Sequence, residues 1–183
     1  NMGTLKVDGT IALTTDSTGA ATAVNDVGLA FAASTVPGTL SATATTGDIS
    51  DSGNLTITGA ATFITGATGS NIVLDSSGNA FAAAVTMQAD AGDEAFGNIT
   101  FVDSAAVKLH SSAGTNGDLY INASTDGAVG GNLSVTATTG NITQNVALAV
   151  TGTSSFTTSA NDATITLGET SNAFTGAVGL STS

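Results

Sequence analysis

"LSATATTGDI", Leu40 to Ile49, returns 93 residues later as "LSVTATTGNI", Leu133 to Ile142. Laid on 133–183 without a gap, residues 40–90 match at 21 of 51 positions. The large side chains are kept: Leu40/Leu133, Ile49/Ile142, Leu55/Leu148, Phe63/Phe156, Ile72/Ile165, Leu74/Leu167, Phe81/Phe174 and Val85/Val178. So are turn residues Gly47/Gly140, Gly59/Gly152 and Asn79/Asn172, whereas the positions between them drift. A chain that repeats itself must give equivalent residues equivalent surroundings, which a stack of like units does and an ordinary layered core does not.

A weaker half-period of about 46 residues lies between the copies. Ile99/Leu55 and Phe101/Ile57 align at an offset of 44, and Leu119/Ile72 at 47. No linker or composition break interrupts this text, so residues 1–183 are expected to form one domain.

Within each copy the unit is a short run alternating large apolar with small or polar residues: "LTIT", "NIVL", "ITF", "LSVT", "ITL". That is the period of a strand, and Gly, Asn, Asp and Ser clusters mark the corners between runs. "NAFAAAVTM" could pass for a helix, but its counterpart "NAFTGAVGL" replaces Ala with Thr and Gly, which a helix resists. The pattern predicts an all-β, single-stranded parallel β-helix, or β-solenoid. Main strands spaced 13 to 17 residues apart suggest coils of roughly 15–24 residues. About 8–11 coils would then make a rod roughly 40–50 Å long at ~4.8 Å per coil. A β-sandwich would need no such recurrence and carries more aromatic residues.

Composition agrees with a thin stack. Charged residues are 9% of the chain, and much of the 41% hydrophobic content is Ala. Lys6 and Lys108 are the only basic residues, and the net charge is −12, which argues against nucleic acid or an anionic membrane as partner. The absence of Cys removes disulfides, zinc-thiolate sites and thiol nucleophiles. No apolar run approaches the ~18 residues of a membrane span. "NMGTLKVDG" lacks the basic and apolar parts of a signal peptide, and "GLSTS" ends in mid-pattern, so a segment of a longer protein is expected.

"GNLTITGAATFITGA", "GNITFVD", "GNLSVTATTGNITQN" and "NAFTGAV" resemble the repeats of filamentous-haemagglutinin-like proteins, β-helical adhesins of two-partner secretion or autotransporter type. The resemblance covers almost the whole chain as a style of repeat. It implies a right-handed parallel β-helix, export to the cell surface, and an adhesive or fibre-forming role. Some such adhesins are glycosylated, and Asn54, Asn98, Asn122, Asn132 and Asn141 stand in Asn-x-Ser/Thr sequons. The bland reading of these sites is that Asn suits the corner before a strand and the sequon is a by-product of strand Thr.

Signs of catalysis are missing from the sequence. Polysaccharide-cleaving β-helices pair an Arg or Lys base with calcium-bound carboxylates, but here there is no Arg and the two Lys lie 102 residues apart. His110, the only His, follows "VKL" and is expected in a solvated turn. Asp16, Asp26, Asp48, Asp51, Asp75, Asp103, Asp118 and Asp126 are scattered through expected turns. Asp90, Asp93 and Glu94 cluster and could supply three calcium ligands, or form a solvated acidic turn. No enzyme activity, cofactor or metal is expected.

The expectation is therefore a structural and adhesive repeat region of an extracellular bacterial surface or filament protein. Its partner would be itself, through end-to-end stacking or neighbouring repeats, with no nucleic acid and no membrane insertion. The alternative is a lateral face that binds surface glycan or a receptor on a host or neighbouring cell. Phe96 and Tyr120 are the residues to watch there, having no counterpart in the repeat. An ice-binding solenoid is a further alternative, suggested by Thr-x-Thr pairs at 43–45, 56–58, 136–138 and 164–166, although their spacing is uneven.

Overall fold

The computed structural model describes residues 4–89, 97–110, 118–121 and 128–183, and these hold strands and no helix. In chain order, β1 (Thr4–Leu5) and β2 (Thr10–Ile11) open the stack. Strands then come in threes: β3 (Ala21–Asn25), β4 (Leu29–Phe31) and β5 (Ser34–Val36), followed by β6 (Leu40–Ala44), β7 (Ile49–Asp51) and β8 (Leu55–Ile57). Next are β9 (Ala61–Thr65), β10 (Ile72–Leu74), β11 (Ala80–Phe81), β12 (Val85–Gln88), β13 (Ile99–Asp103) and β14 (Val107–His110). They are followed by β15 (Asp118–Ile121), β16 (Ala128–Val129), β17 (Leu133–Ala137), β18 (Ile142–Gln144) and β19 (Ala149–Val150). The last are β20 (Ser154–Thr158), β21 (Ile165–Thr166), β22 (Ala173–Phe174) and β23 (Val178–Thr182).

Every strand pairing among the described residues is parallel. The strands form a nine-stranded sheet, an eight-stranded sheet and two three-stranded sheets, so the protein is a β-solenoid. The eight-stranded sheet runs β2-β4-β7-β10-β13-β17-β20-β23 and counts about seven coils. The number is lower than the sequence suggested because the middle coils are long. Thr10 lies beside Ala30, 20 residues on, but Ile72 beside Ile99, 27 on, and Ile99 beside Leu133, 34 on. At ~4.8 Å per coil the stack is roughly 34 Å long.

The core is made of columns, one residue deep. Leu74, Phe101, Val135 and Phe156 stack in the eight-stranded sheet, and Ala42, Phe63, Met87 and Ile121 in the nine-stranded one. All of these are buried. Each large apolar member contributes about 1.5–3 kcal/mol by leaving water. The edge-to-face pair Phe63–Phe81, with centroids 6.2 Å apart at 88°, returns as Phe156–Phe174 at 6.3 Å and 79°. A left-handed corner returns as well: Gly69 has φ 76° and Asp162, its counterpart, φ 61°. Asp tolerates that region better than most residues.

The two copies nevertheless occupy different faces. Leu40 and Phe63 lie in the nine-stranded sheet, but Leu133 and Phe156 lie in the eight-stranded one. Ile49 and Ile72 lie in the eight-stranded sheet, and Ile142 and Ile165 in the nine-stranded one. Because the eight-stranded sheet runs unbroken, the second copy is advanced by one face of a three-faced coil. The nine-stranded sheet makes the change at β15, where Leu119 pairs with Val85 on one side and Leu109 on the other.

Candidate functional site

Asn54, Asn98, Asn132 and Asn141 lie along corners, and the side chains of the last three are tied to neighbouring coils. In front of the eight-stranded sheet, Asp48 Oδ1 accepts from the Asn71 backbone N–H at 2.7 Å and from Asn71 Nδ2 at 3.2 Å. Asn71 Oδ1 accepts from the backbone N–H and Nδ2 of Asn98, both at 2.8 Å. Asn98 Oδ1 accepts from Asn132 N–H at 2.8 Å. Asn132 Oδ1 in turn accepts from Thr153 N–H at 2.8 Å and Thr153 Oγ1 at 3.0 Å. The ladder satisfies the backbone donor that opens each strand. Its repeat counterpart appears on the other face, where Asn141 Oδ1 accepts from Thr164 N–H at 2.8 Å. Asn54 is exposed before β8, and Asn122 lies outside the described residues.

The "GN" phrase has a steric cause. A Cβ on Gly131 would come within 2.7 Å of Asn98 Oδ1 and Gly97 O, so the residue before Asn132 must lack one. Gly152 meets Asn132 Oδ1 in the same way.

A second device is buried. Asp51 Oδ2 accepts from Asn79 Nδ2 at 2.6 Å, Asp51 Oδ1 accepts from Asp75 N–H at 2.9 Å, and Asn79 Oδ1 accepts from Leu55 N–H at 2.8 Å. Asn79 is wholly buried. In the second copy Gln144 stands for Asp51 and Asn172 for Asn79. Asn172 Nδ2 donates to Gln144 Oε1 at 2.8 Å, and Asn172 Oδ1 accepts from Leu148 N–H at 2.9 Å.

Asp103 ends β13, and its side chain is 1% exposed. Its Oδ1 accepts from Phe81 N–H at 3.2 Å, and its Oδ2 has no hydrogen-bond partner. β11 is the edge of its three-stranded sheet, so Asp103 caps a strand that no further strand covers among the described residues. Burial raises its pKa above the ordinary aspartate value, opposed by the N–H groups of Phe81, Ala105 and Ser104. A shallow pocket of about 210 Å³ lies beside it, between Ile57 and Ala82.

Several sequence expectations change here. Asp51 and Asp103 are not turn acids but buried strand ends. His110 is the last residue of β14, not part of the following turn. The Thr-x-Thr pairs fall on β6, β8, β17 and β21, in three different sheets, so they form no single array. Tyr120 sits half-exposed on β15, opposite Thr86 and His110, on the strand where the nine-stranded sheet changes face. Asp90, Asp93, Glu94 and Phe96 lie outside the described residues. Among the described residues no group of three metal-ligating side chains converges, and no helix is long and apolar enough to cross a membrane.

Signals for the missed residues were uneven. Asn79 is kept between the copies, whereas Asp51 pairs with Gln144, a match visible only as shared acceptor chemistry. Asp103 has no counterpart.

The ends complete the picture. Val178 and Leu180, on the outermost strand of the eight-stranded sheet, are 42% and 59% exposed, although Leu180 continues the column of Phe156, which is 0% exposed. A parallel stack with repeated coils defines a β-solenoid repeat protein. The family described as "Repeats of unknown function (DUF5649)" matches residues 18–88 and 96–181, and the chain belongs to it. No curated protein and no solved structure matches the chain.

Proposed function

We propose that this chain is a structural and adhesive repeat segment, without enzyme activity, of a large extracellular bacterial surface or filament protein of haemagglutinin-like type. Its mechanism is geometry, and its partner is a unit like itself. The observation that carries the reading is the stack itself, parallel coils held in register by strand pairing and by the asparagine ladder from Asn71 to Thr153. The ladders and clamps described above are all internal supports, each joining one coil to the next. Negative-stain electron microscopy with light scattering over a concentration series tests the reading. Unbranched fibres whose mass grows with concentration are expected. Short rods of constant mass would defeat self-assembly and move the search to the lateral faces around Tyr120.

A further inference from the structure

We propose that the pocket beside Asp103 binds a primary ammonium group on a short alkyl chain, with the carboxylate oxygen Oδ2 as its acceptor. The site lies between two coils well inside the chain and stands apart from self-assembly.

Two neighbouring coils build the pocket. β8 and β11 run side by side, with Thr56 beside Ala80 and Ile57 beside Phe81. Ile57 and Phe81 are buried, so the alternation of a strand turns Thr56, Thr58, Ala80 and Ala82 outward as the floor. The next coil supplies the wall. Ser104 N–H donates to Asn79 O at 2.7 Å and Phe81 N–H to Asp103 Oδ1 at 3.2 Å, which lays residues 103–105 across β11. The space between floor and wall is about 210 Å³.

The carboxylate in that wall is incomplete. Its Oδ1 holds Phe81 N–H, whereas Oδ2 is buried and accepts nothing. Among the described residues no basic side chain bears on it. A buried charge without a partner is costly, so the missing component is a donor that carries positive charge. Water supplies the donor and not the charge. One free oxygen suits the point charge of an ammonium, whereas the planar fork of a guanidinium uses two. A divalent cation needs several oxygen ligands, and among the described residues no three metal-ligating side chains converge. The methyl groups of Ala80, Ala82, Thr56 and Thr58 give an alkyl stem the apolar contact that a bare ion does not use.

Nuclear magnetic resonance on the full chain tests this, with n-butylammonium chloride, n-butanol and sodium chloride as probes. Butylammonium is expected to lower the titration midpoint of the Asp103 carboxyl carbon by about 1 pH unit, as an opposite charge in contact does. It is also expected to move the backbone amide signals of Ala82 and Ala105 until they saturate. Sodium chloride at equal concentration should do neither. Butanol has the same stem and no charge, and should bind about tenfold more weakly, the factor that such a midpoint shift represents. Asp103→Asn keeps an oxygen for Phe81 N–H and is expected to abolish the butylammonium response. Ala82→Leu, at an exposed position, fills the floor and is expected to abolish it too, with unchanged far-UV circular dichroism. N-acetyl-lysine N-methylamide separates the sources of the group. A response like that of butylammonium assigns a lysine side chain of a partner, and none assigns small free amines. Equal binding of butanol, an unmoved Asp103 midpoint, or an undiminished response in either variant would overturn the site.

Discussion

Asn98 donates from Nδ2 to Oδ1 of Asn71 at 2.8 Å, and its backbone N–H donates to the same oxygen. One side-chain oxygen thus holds the start of the next coil, and Asn98 repeats the service for Asn132. Asn98→Ala removes the bonds on both sides of its side chain. At about 0.5–1.5 kcal/mol for each hydrogen bond, a loss of about 1–2 kcal/mol is expected in urea unfolding. Asn132→Asp keeps the acceptor that Thr153 uses and should stay within about 0.5 kcal/mol of the parent chain. Equal losses for the two variants would mean that the corner needs the residue's shape and not its hydrogen bonds.

The glycine before Asn132 makes a second, steric prediction. Gly131→Ala puts a methyl within 2.7 Å of Gly97 O and 2.8 Å of Gly97 C, both backbone atoms of the preceding coil. Backbone cannot swing aside as a side chain does, so the coil spacing itself must open. A cost of about 1–3 kcal/mol is expected. Gly168→Ala, where nothing lies within 4 Å, should be neutral or stabilise slightly by narrowing the unfolded ensemble. Melting temperatures of the two variants, compared with the parent chain, check this.

What was legible in the sequence was whatever recurs. Leu40 and Leu133 announce a strand start in both copies, and strand, corner and inward residue were readable from one copy laid on the other. Their faces were not, because alternation says only that Leu40 points inward and not which sheet it enters. The one-face advance is a property of the long middle coils, such as the 34 residues from Ile99 to Leu133, whose text matches neither copy closely. Asp103 was hidden for a related reason: it caps β11 at the place where a stack ends, and an interruption has no repeat to reveal it. The asparagine ladder was half visible. The "GN" phrase was plain as a recurring corner, but the oxygen linking one coil to the next depends on stacking distance, which sequence spacing does not carry.

The buried clamp gives a third prediction. Asn79→Ala leaves Leu55 N–H and Asp51 Oδ2 without their partners in a site closed to water. A buried donor and acceptor left unpaired cost about 1–3 kcal/mol each, so this substitution should be the most damaging of the set. Asn79→Asp places a second carboxylate against Asp51 instead. It is expected to unfold more readily at neutral pH than in mild acid, where one of the two carboxyls takes a proton. Urea midpoints of that variant that do not change between neutral and mildly acidic pH would show that the clamp opens to water.

Asp103 gives the last. Burial holds its folded pKa above the ordinary aspartate value, so the folded chain binds this proton more tightly than the unfolded chain does. Below the ordinary value both forms are protonated and the residue costs nothing. As pH rises through the window between the ordinary and the raised values, the unfolded chain ionises first and stability falls; above the window the loss is complete. Asp103→Asn keeps an oxygen for Phe81 N–H and carries no charge. Its stability relative to the parent should therefore rise with pH across that window and level off at neutral pH, the two chains lying closest in acid. Chemical unfolding of both at a series of pH values reads the gap directly. A gap that stays constant from acid to neutral pH would mean that Asp103 ionises as it does in the unfolded chain and that the edge of β11 is open to solvent.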